Sequence, residues 1–162
     1  MVGFYEEYIR IGLPVKGKMQ FSITIFEASI TKLNRWQVPT PVRPYWRLYW
    51  NGNPGASVTS GKNNGAGEMQ SEREQTVHLG PEKIVLIPPQ TVFTVDLQNQ
   101  VDHLYLHFNP DRFFSSIPGL YSVSTEDRLE QREILKSLIS ADDITTRRKT
   151  MEITRFICDC FL

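Results

Sequence analysis

GPEKIVLIPPQTVFTVDLQNQVDHLYLHF, residues 80–108, decides the fold, because it reads as three strands in succession. Lys83 to Ile87 is a β-branched and aliphatic run halted by Pro88-Pro89, which lack ladder N–H donors and disfavour helix in the residue before them. Thr91 to Val95 resumes the β-prone composition. After the polar break Asp96 to Gln100, Val101 to Phe108 alternates with period two. That period sends His103, Tyr105 and His107 to one face and Leu104, Leu106 and Phe108 to the other. One face is core; the other, carrying two imidazoles and a phenol, suits a ligand cavity.

Upstream, Met19 to Glu27 alternates as a first strand with Phe21, Ile23 and Ile25 on one face, and the prolines at 39, 41 and 44 make Ala28 to Pro44 an extended connection. Tyr45 to Asn51 is the most aromatic segment. Its parity separates Tyr45, Arg47, Tyr49 and Asn51 from Trp46, Leu48 and Trp50, and leaves open which set lines a pocket. Turn signals at Asn53-Pro54-Gly55 and Asn64-Gly65 bracket a short strand, Ala56 to Ser60, and Gln75 to Leu79 gives another. So many short strands separated by turns predict an all-β sandwich or barrel. Met1 to Lys18 reads as an irregular arm, and Asp111 to Val123 as a connector with at most one helical turn.

From Ser124 the pattern becomes helical. Ser124-Thr125-Glu126-Asp127 resembles a capping box and opens a helix, and Ser140 to Asp143 opens a second that runs to Leu162 with no stop signal. Ile153, Phe156, Ile157, Cys160 and Phe161 form its apolar stripe, expected to mediate homodimerisation, and the uncapped end suggests a cut inside a longer protein.

Length and charge narrow the functions. A chain of 162 residues holds one domain with a sizeable core, and 18 basic against 18 acidic residues leave no electrostatic footprint for nucleic acid or an anionic membrane. No apolar run spans a membrane and the N-terminus lacks a signal-peptide pattern, so a cytoplasmic location is expected. Cys158 and Cys160 diverge by about 200° on a helix, which disfavours a disulfide or shared metal. His103 and His107 are separated along a strand by on the order of 13 Å, too far for one ion. With no nucleophile motif or phosphate loop, no catalytic residue, cofactor or metal is assigned, and the chain is not expected to be an enzyme. Arg43 and Arg47 are the candidates for polar recognition, since a guanidinium donates forked hydrogen bonds to hydroxyls or a carboxylate.

Arg43-Pro44-Tyr-Trp-Arg-Leu-Tyr-Trp-Asn with Pro54-Gly55-Ala56, then Gly80 to Pro89, then His103-Leu-Tyr-Leu-His-Phe, resembles the N-terminal effector-binding domain of AraC-family transcriptional regulators. The resemblance implies a cupin-like jelly-roll β-barrel followed by two α-helices. Residues 1–18 would be an arm, 19–123 the effector-binding β domain with its connector, and 124–162 a dimerising helical region cut before the DNA-binding domain. It also implies a small polar effector, a sugar or sugar derivative. Arg43, His103 and Tyr105 match the sugar contacts of arabinose-responsive members, and Arg47, Tyr49, Phe93 and His107 complete the expected site. The histidines of metal-binding cupins have no counterpart here, Phe93 standing in the equivalent stretch. A metal-dependent cupin enzyme, such as a sugar isomerase or oxygenase, and a stand-alone carbohydrate-binding module are the alternative readings.

Overall fold

The computed structural model describes residues 9–14, 20–37, 43–60, 74–110, 119–126, 129–139, 152 and 155–156. Among these residues nine strands and one continuous helix follow in order: β1 Ile9–Pro14, β2 Gln20–Leu33, β3 Trp46–Asn51, β4 Ala56–Ser60, β5 Gln75–Leu79, β6 Lys83–Ile87, β7 Phe93–Leu97, β8 Val101–Pro110, β9 Tyr121–Ser124 and α1 Leu129–Ile139. All pairings are antiparallel. They build a six-stranded sheet of order β1-β2-β8-β3-β6-β9 and a three-stranded sheet of order β5-β4-β7.

The expected jelly-roll barrel needs correction at this level. Among the described residues no ladder joins an edge of one sheet to an edge of the other, so the sheets stay open and meet through side chains. The inner faces share an apolar cluster of Tyr49, Val85, Ile87 and Val101 from the large sheet with Ala56, Val58, Val77, Leu79 and Phe93 from the small one. The opposite face of the large sheet carries Trp46, Leu48, Trp50, Ile84, Leu86, Leu104, Leu106 and Phe108. This second cluster is covered by Leu135 and Ile134 of α1 and by Phe156. Period-two alternation therefore gives the central strands two different jobs, one per face.

The chain changes sheets at sharp joints. Between β3 and β4, Gly55 adopts φ +137°, and its carbonyl accepts hydrogen bonds from Gln98 N (2.8 Å) and Asn99 N (3.3 Å). A Cβ there would meet Asn99 Cβ at 3.0 Å, so glycine is demanded by both conformation and space. Between β6 and β7, Pro88-Pro89 end the strand as read from sequence, and Gln90 takes a left-handed conformation at φ 62°. The Gln90 N–H donates to the Arg43 carbonyl at 2.9 Å, which ties the approach to β3 onto this turn.

Three local expectations change. Part of the predicted irregular arm is β1, which extends the sheet by pairing Ile9↔Ile25 through Pro14↔Gln20. β2 continues to Leu33, into the segment read as a connection. The predicted connector ends in β9, and Ser124-Thr125, read as a helix cap, make contacts with the strands as well, while Asp127 and Arg128 lie outside the described residues. Thr125 is buried, donating its N–H to Glu82 O (2.8 Å) and its hydroxyl to Pro81 O (2.9 Å), while Ser124 Oγ accepts from Glu126 N (3.2 Å). These residues fasten the end of β9 to the β5–β6 turn, and α1 begins at Leu129.

The predicted second helix falls mostly outside the described residues. Glu152, Arg155 and Phe156 are helical, and Arg155 Nη2 donates to Glu130 Oε1 of α1 at 3.3 Å. Ile153, Ile157, Cys160 and Phe161 lie outside the residues whose side chains are described, as does Cys158. Phe156 is fully buried within its own chain, so its side chain offers no surface to a second copy. No helix among the described residues is long and apolar enough to cross a membrane.

Candidate functional site

The inward face of the large sheet is organised in rows by strand register. Glu27 of β2 pairs with His107 of β8, which pairs with Arg47 of β3, itself opposite Ile87 of β6. The next row runs Ser29, Tyr105, Tyr49, Val85, and the next Thr31, His103, Asn51. Neighbouring strands lie about 4.8 Å apart, so each row brings side chains within contact.

Above these rows lies a cavity of about 210 Å³, open on one side. Arg43, Arg47, Tyr49, His103, Tyr105 and His107 all line it, joined by Tyr45, Trp36, Leu33 and Gln37. The polar parity set of β3, and not the tryptophan set, faces this space. Phe93 sits behind the lining, 2% exposed, with its ring centre 5.0 Å from the Arg47 Cζ and 6.3 Å from the Tyr49 ring. His78, the third histidine, is exposed on β5 in the other sheet and takes no part.

The electrostatics are those of buried, mostly neutral rings around a guanidinium. Arg47 is 2% exposed, and its Cζ lies 5.3 Å from the Tyr45 ring centre. Burial pulls its pKa below the usual arginine value, partly offset by Tyr49 and Tyr45. Its Nη1 has no hydrogen-bond acceptor. Burial likewise raises the Tyr49 phenol, opposed by the Arg47 charge. Tyr105 is pushed up to about 12 by burial and then by its hydrogen bond to Glu27.

His103 is drawn down to about 3 by burial and secondarily by His107, so the ring is neutral at ordinary pH. Its Nδ1 lies 2.7 Å from Asn51 Oδ1, and an amide oxygen only accepts. Nδ1 therefore carries the proton and Nε2 is the acceptor. Asn51 Nδ2 is left without a partner. Rings pack closely around this imidazole, with Trp36 at 4.5 Å, Tyr49 at 5.2 Å and Tyr105 at 5.9 Å between centres.

A pH prediction follows from the lowered His103 value. The unfolded chain takes up a proton near pH 6.5 that the folded chain refuses until about pH 3. Stability associated with neutral His103 is thus complete above about pH 6.5 and drains away as pH falls toward about 3. Urea midpoints at pH 7 and pH 4 should drop further for the wild type than for His103→Gln, which keeps an N–H donor for Asn51. Equal drops would show that His103 does not govern the acid sensitivity.

Glu27 is the residue that sequence reading missed. A bulge between Ile25 and Glu27 inverts the parity of β2: Ile23 and Ile25 face the helix side before it, and Ala28 and Ile30 do so after it. Glu27 is thereby turned to the cavity face, where Tyr105 Oη donates to Oε1 at 2.6 Å and His107 Nδ1 lies 2.8 Å from Oε2. The Glu27 carboxylate raises the His107 pKa, but burial lowers it more. The signal was present in the sequence as a shift of apolar phase from 21/23/25 to 26/28/30.

Chemically the cavity offers stacking surfaces, neutral hydrogen-bond groups and positive charge. Among the described residues no cluster of three or more His, Cys, Asp or Glu is placed to hold a metal ion. No protein-family model and no curated protein sequence matches the chain. The fold does have a solved likeness: the crystal structure of an apo ToxT variant from Vibrio cholerae strain SCE256 superposes with a TM-score of 0.53. The identity is 11%, covering 87% of this chain and 54% of the ToxT chain, so this chain spans about half the length of that structure. At that identity the likeness is one of fold.

Proposed function

We propose that this chain is the effector-sensing domain of an AraC-type transcription regulator, taking a small polar ligand into the cavity on the inner face of its large sheet. The observation that carries the reading is the convergence of Arg43, Arg47, Tyr49, His103, Tyr105 and His107 on one cavity from β3, its lead-in and β8. A fold shared with ToxT, an AraC-family regulator, supports it. The two open sheets are then a variant of the cupin-like jelly roll.

In this reading the ligand is a sugar or sugar derivative, and the chain acts in the cytoplasm without catalysing a reaction. DNA is contacted only through a separate domain, and residues 124–162 contribute to a homodimer. Trp36 and the tyrosines supply ring faces for the ligand's apolar surface, while the arginines and His103 Nε2 supply directional hydrogen bonds. Binding transmits a signal only if the ligand has different affinities for two arrangements of the domain. β1, at the sheet edge beside β2, and the helical region behind β8 are the elements whose arrangement would change.

Calorimetry against a panel of monosaccharides and sugar acids tests the reading, with Arg43→Ala alongside. Saturable heats that weaken in the variant are expected. Binding undiminished by the variant would remove Arg43 from the site, and absence of any binding across the panel would remove the sugar class.

A further inference from the structure

We infer that the ligand of this cavity carries a carboxylate on a body of one ring, with the carboxylate held by Arg47; the inference rests on the cavity's being an effector site. Arg47 is the starting point because it combines near-complete burial with an Nη1 that has no acceptor. A buried cation ordinarily has an anionic or hydrogen-bonding partner, because removing it from water is costly otherwise. The rings of Tyr45 and Phe93 attract its charge through their π faces, and a hydrogen bond to Tyr45 adds to this, but Nη1 is left unanswered. What a buried guanidinium with an unanswered Nη1 fits best is an anionic planar acceptor, which is a carboxylate.

The charge balance points the same way. The lining contains Arg43 and Arg47 and no aspartate or glutamate. Glu27, on the same sheet face, already receives Tyr105 Oη and lies against His107 Nδ1. A neutral sugar could hydrogen-bond to Arg47 but would leave the buried positive charge uncompensated. A carboxylate answers both needs at once.

Size and walls set the rest of the ligand. The cavity is about 210 Å³ and open to solvent, room for a single ring within it. Trp36, Tyr49 and Tyr105 line it with aromatic side chains, which suit either a benzenoid ring or the C–H face of a pyranose. The shared chemistry is therefore a one-ring carboxylate, from an aromatic acid or a sugar acid.

Matched pairs of probes test this: benzoate against benzamide for the aromatic body, and D-glucuronate against D-glucose for the sugar body. Each would be titrated by calorimetry into wild type, Arg47→Lys and Arg47→Gln. In at least one pair the acid should bind and its neutral mate bind about 100-fold more weakly. Arg47→Lys, which keeps the charge but loses the fork, should weaken the acid, and Arg47→Gln should abolish its binding. Which pair responds identifies the body.

A neutral mate that binds as well as its acid would overturn the carboxylate while leaving the effector site standing. So would acid binding unchanged in Arg47→Gln. Failure of all four probes to bind folded wild-type protein would count against both. Should Arg47→Gln not fold, Arg47→Lys decides alone: undiminished acid affinity there would contradict the forked contact.

Discussion

Replacing Trp50 by alanine should lower the stability of the domain by about 3–5 kcal/mol, the range for deleting a buried large aromatic side chain. Trp50 is 1% exposed and belongs to the cluster that joins β3, β6 and β8 to α1 and Phe156. Its indole Nε1 donates to Pro81 O at 3.2 Å. That carbonyl also accepts from Thr125 Oγ1 at 2.9 Å, so it keeps a partner in the variant. The cost is therefore mainly lost apolar burial and the void left behind. Domains of this kind have total stabilities of about 5–15 kcal/mol, so the variant should unfold at a far lower urea concentration or fail to fold. Equilibrium urea unfolding measures this. A loss under about 1 kcal/mol would mean that the helix-side cluster is not tightly packed.

Arg47→Met should have the opposite sign in the ligand-free protein, raising stability by about 1–3 kcal/mol. Two opposed effects decide it. Burying the guanidinium costs several kcal/mol, and its unpaired Nη1 adds about 1–3. Stacking against Tyr45 and Phe93 returns about 1–2 kcal/mol each. Methionine keeps an apolar stem and a sulfur near the Phe93 ring while discarding the charge. The same substitution should abolish recognition of an anionic ligand, exchanging function for stability. Urea unfolding without ligand gives the sign directly; a destabilised Arg47→Met would mean that the fold itself satisfies this cation.

Sequence pattern disclosed the strands whose own side chains specify them. β6 was bounded correctly at Lys83 and Ile87 because an unbroken apolar run meets two prolines, and the parity of β8 is the simple alternation of its residues. β1 and β9 were not legible for a common reason. They are edge strands, held by the backbone groups that β2 and β6 leave open, and the described side chains of β9 are mostly exposed. Exposed Tyr121 and Ser122 need no apolar period, so none was written into the sequence.

The candidate site divides in the same way. The grouping of Arg47 with Tyr49, and of His103 with Tyr105 and His107, was legible because β3 and β8 each keep one parity from end to end, while the pairing Arg47↔His107 and Tyr49↔Tyr105 decides that the polar face of β3 lines the cavity. Glu27 was not, because a one-residue bulge overturns a parity inferred from Ile23 and Ile25. Barrel closure was expected from strand number and turn spacing, but closure depends on pairings between distant strands that no local pattern encodes. Trp36 follows the same logic. It lies beyond the end of β2, and only the tertiary fold brings it against His103.

The three tryptophans give the most direct test that the cavity on the large sheet is where ligand binds. Trp36 lines it, whereas Trp46 and Trp50 belong to the cluster on the opposite face of the same sheet. Their indole N–H signals in a nitrogen-15 correlation spectrum can be followed during titration with benzoate and D-glucuronate, after assignment by Trp→Phe variants. The account predicts a saturable shift of the Trp36 signal, with Trp46 and Trp50 nearly still. Saturable binding that moves the Trp46 or Trp50 signal and leaves Trp36 in place would contradict it.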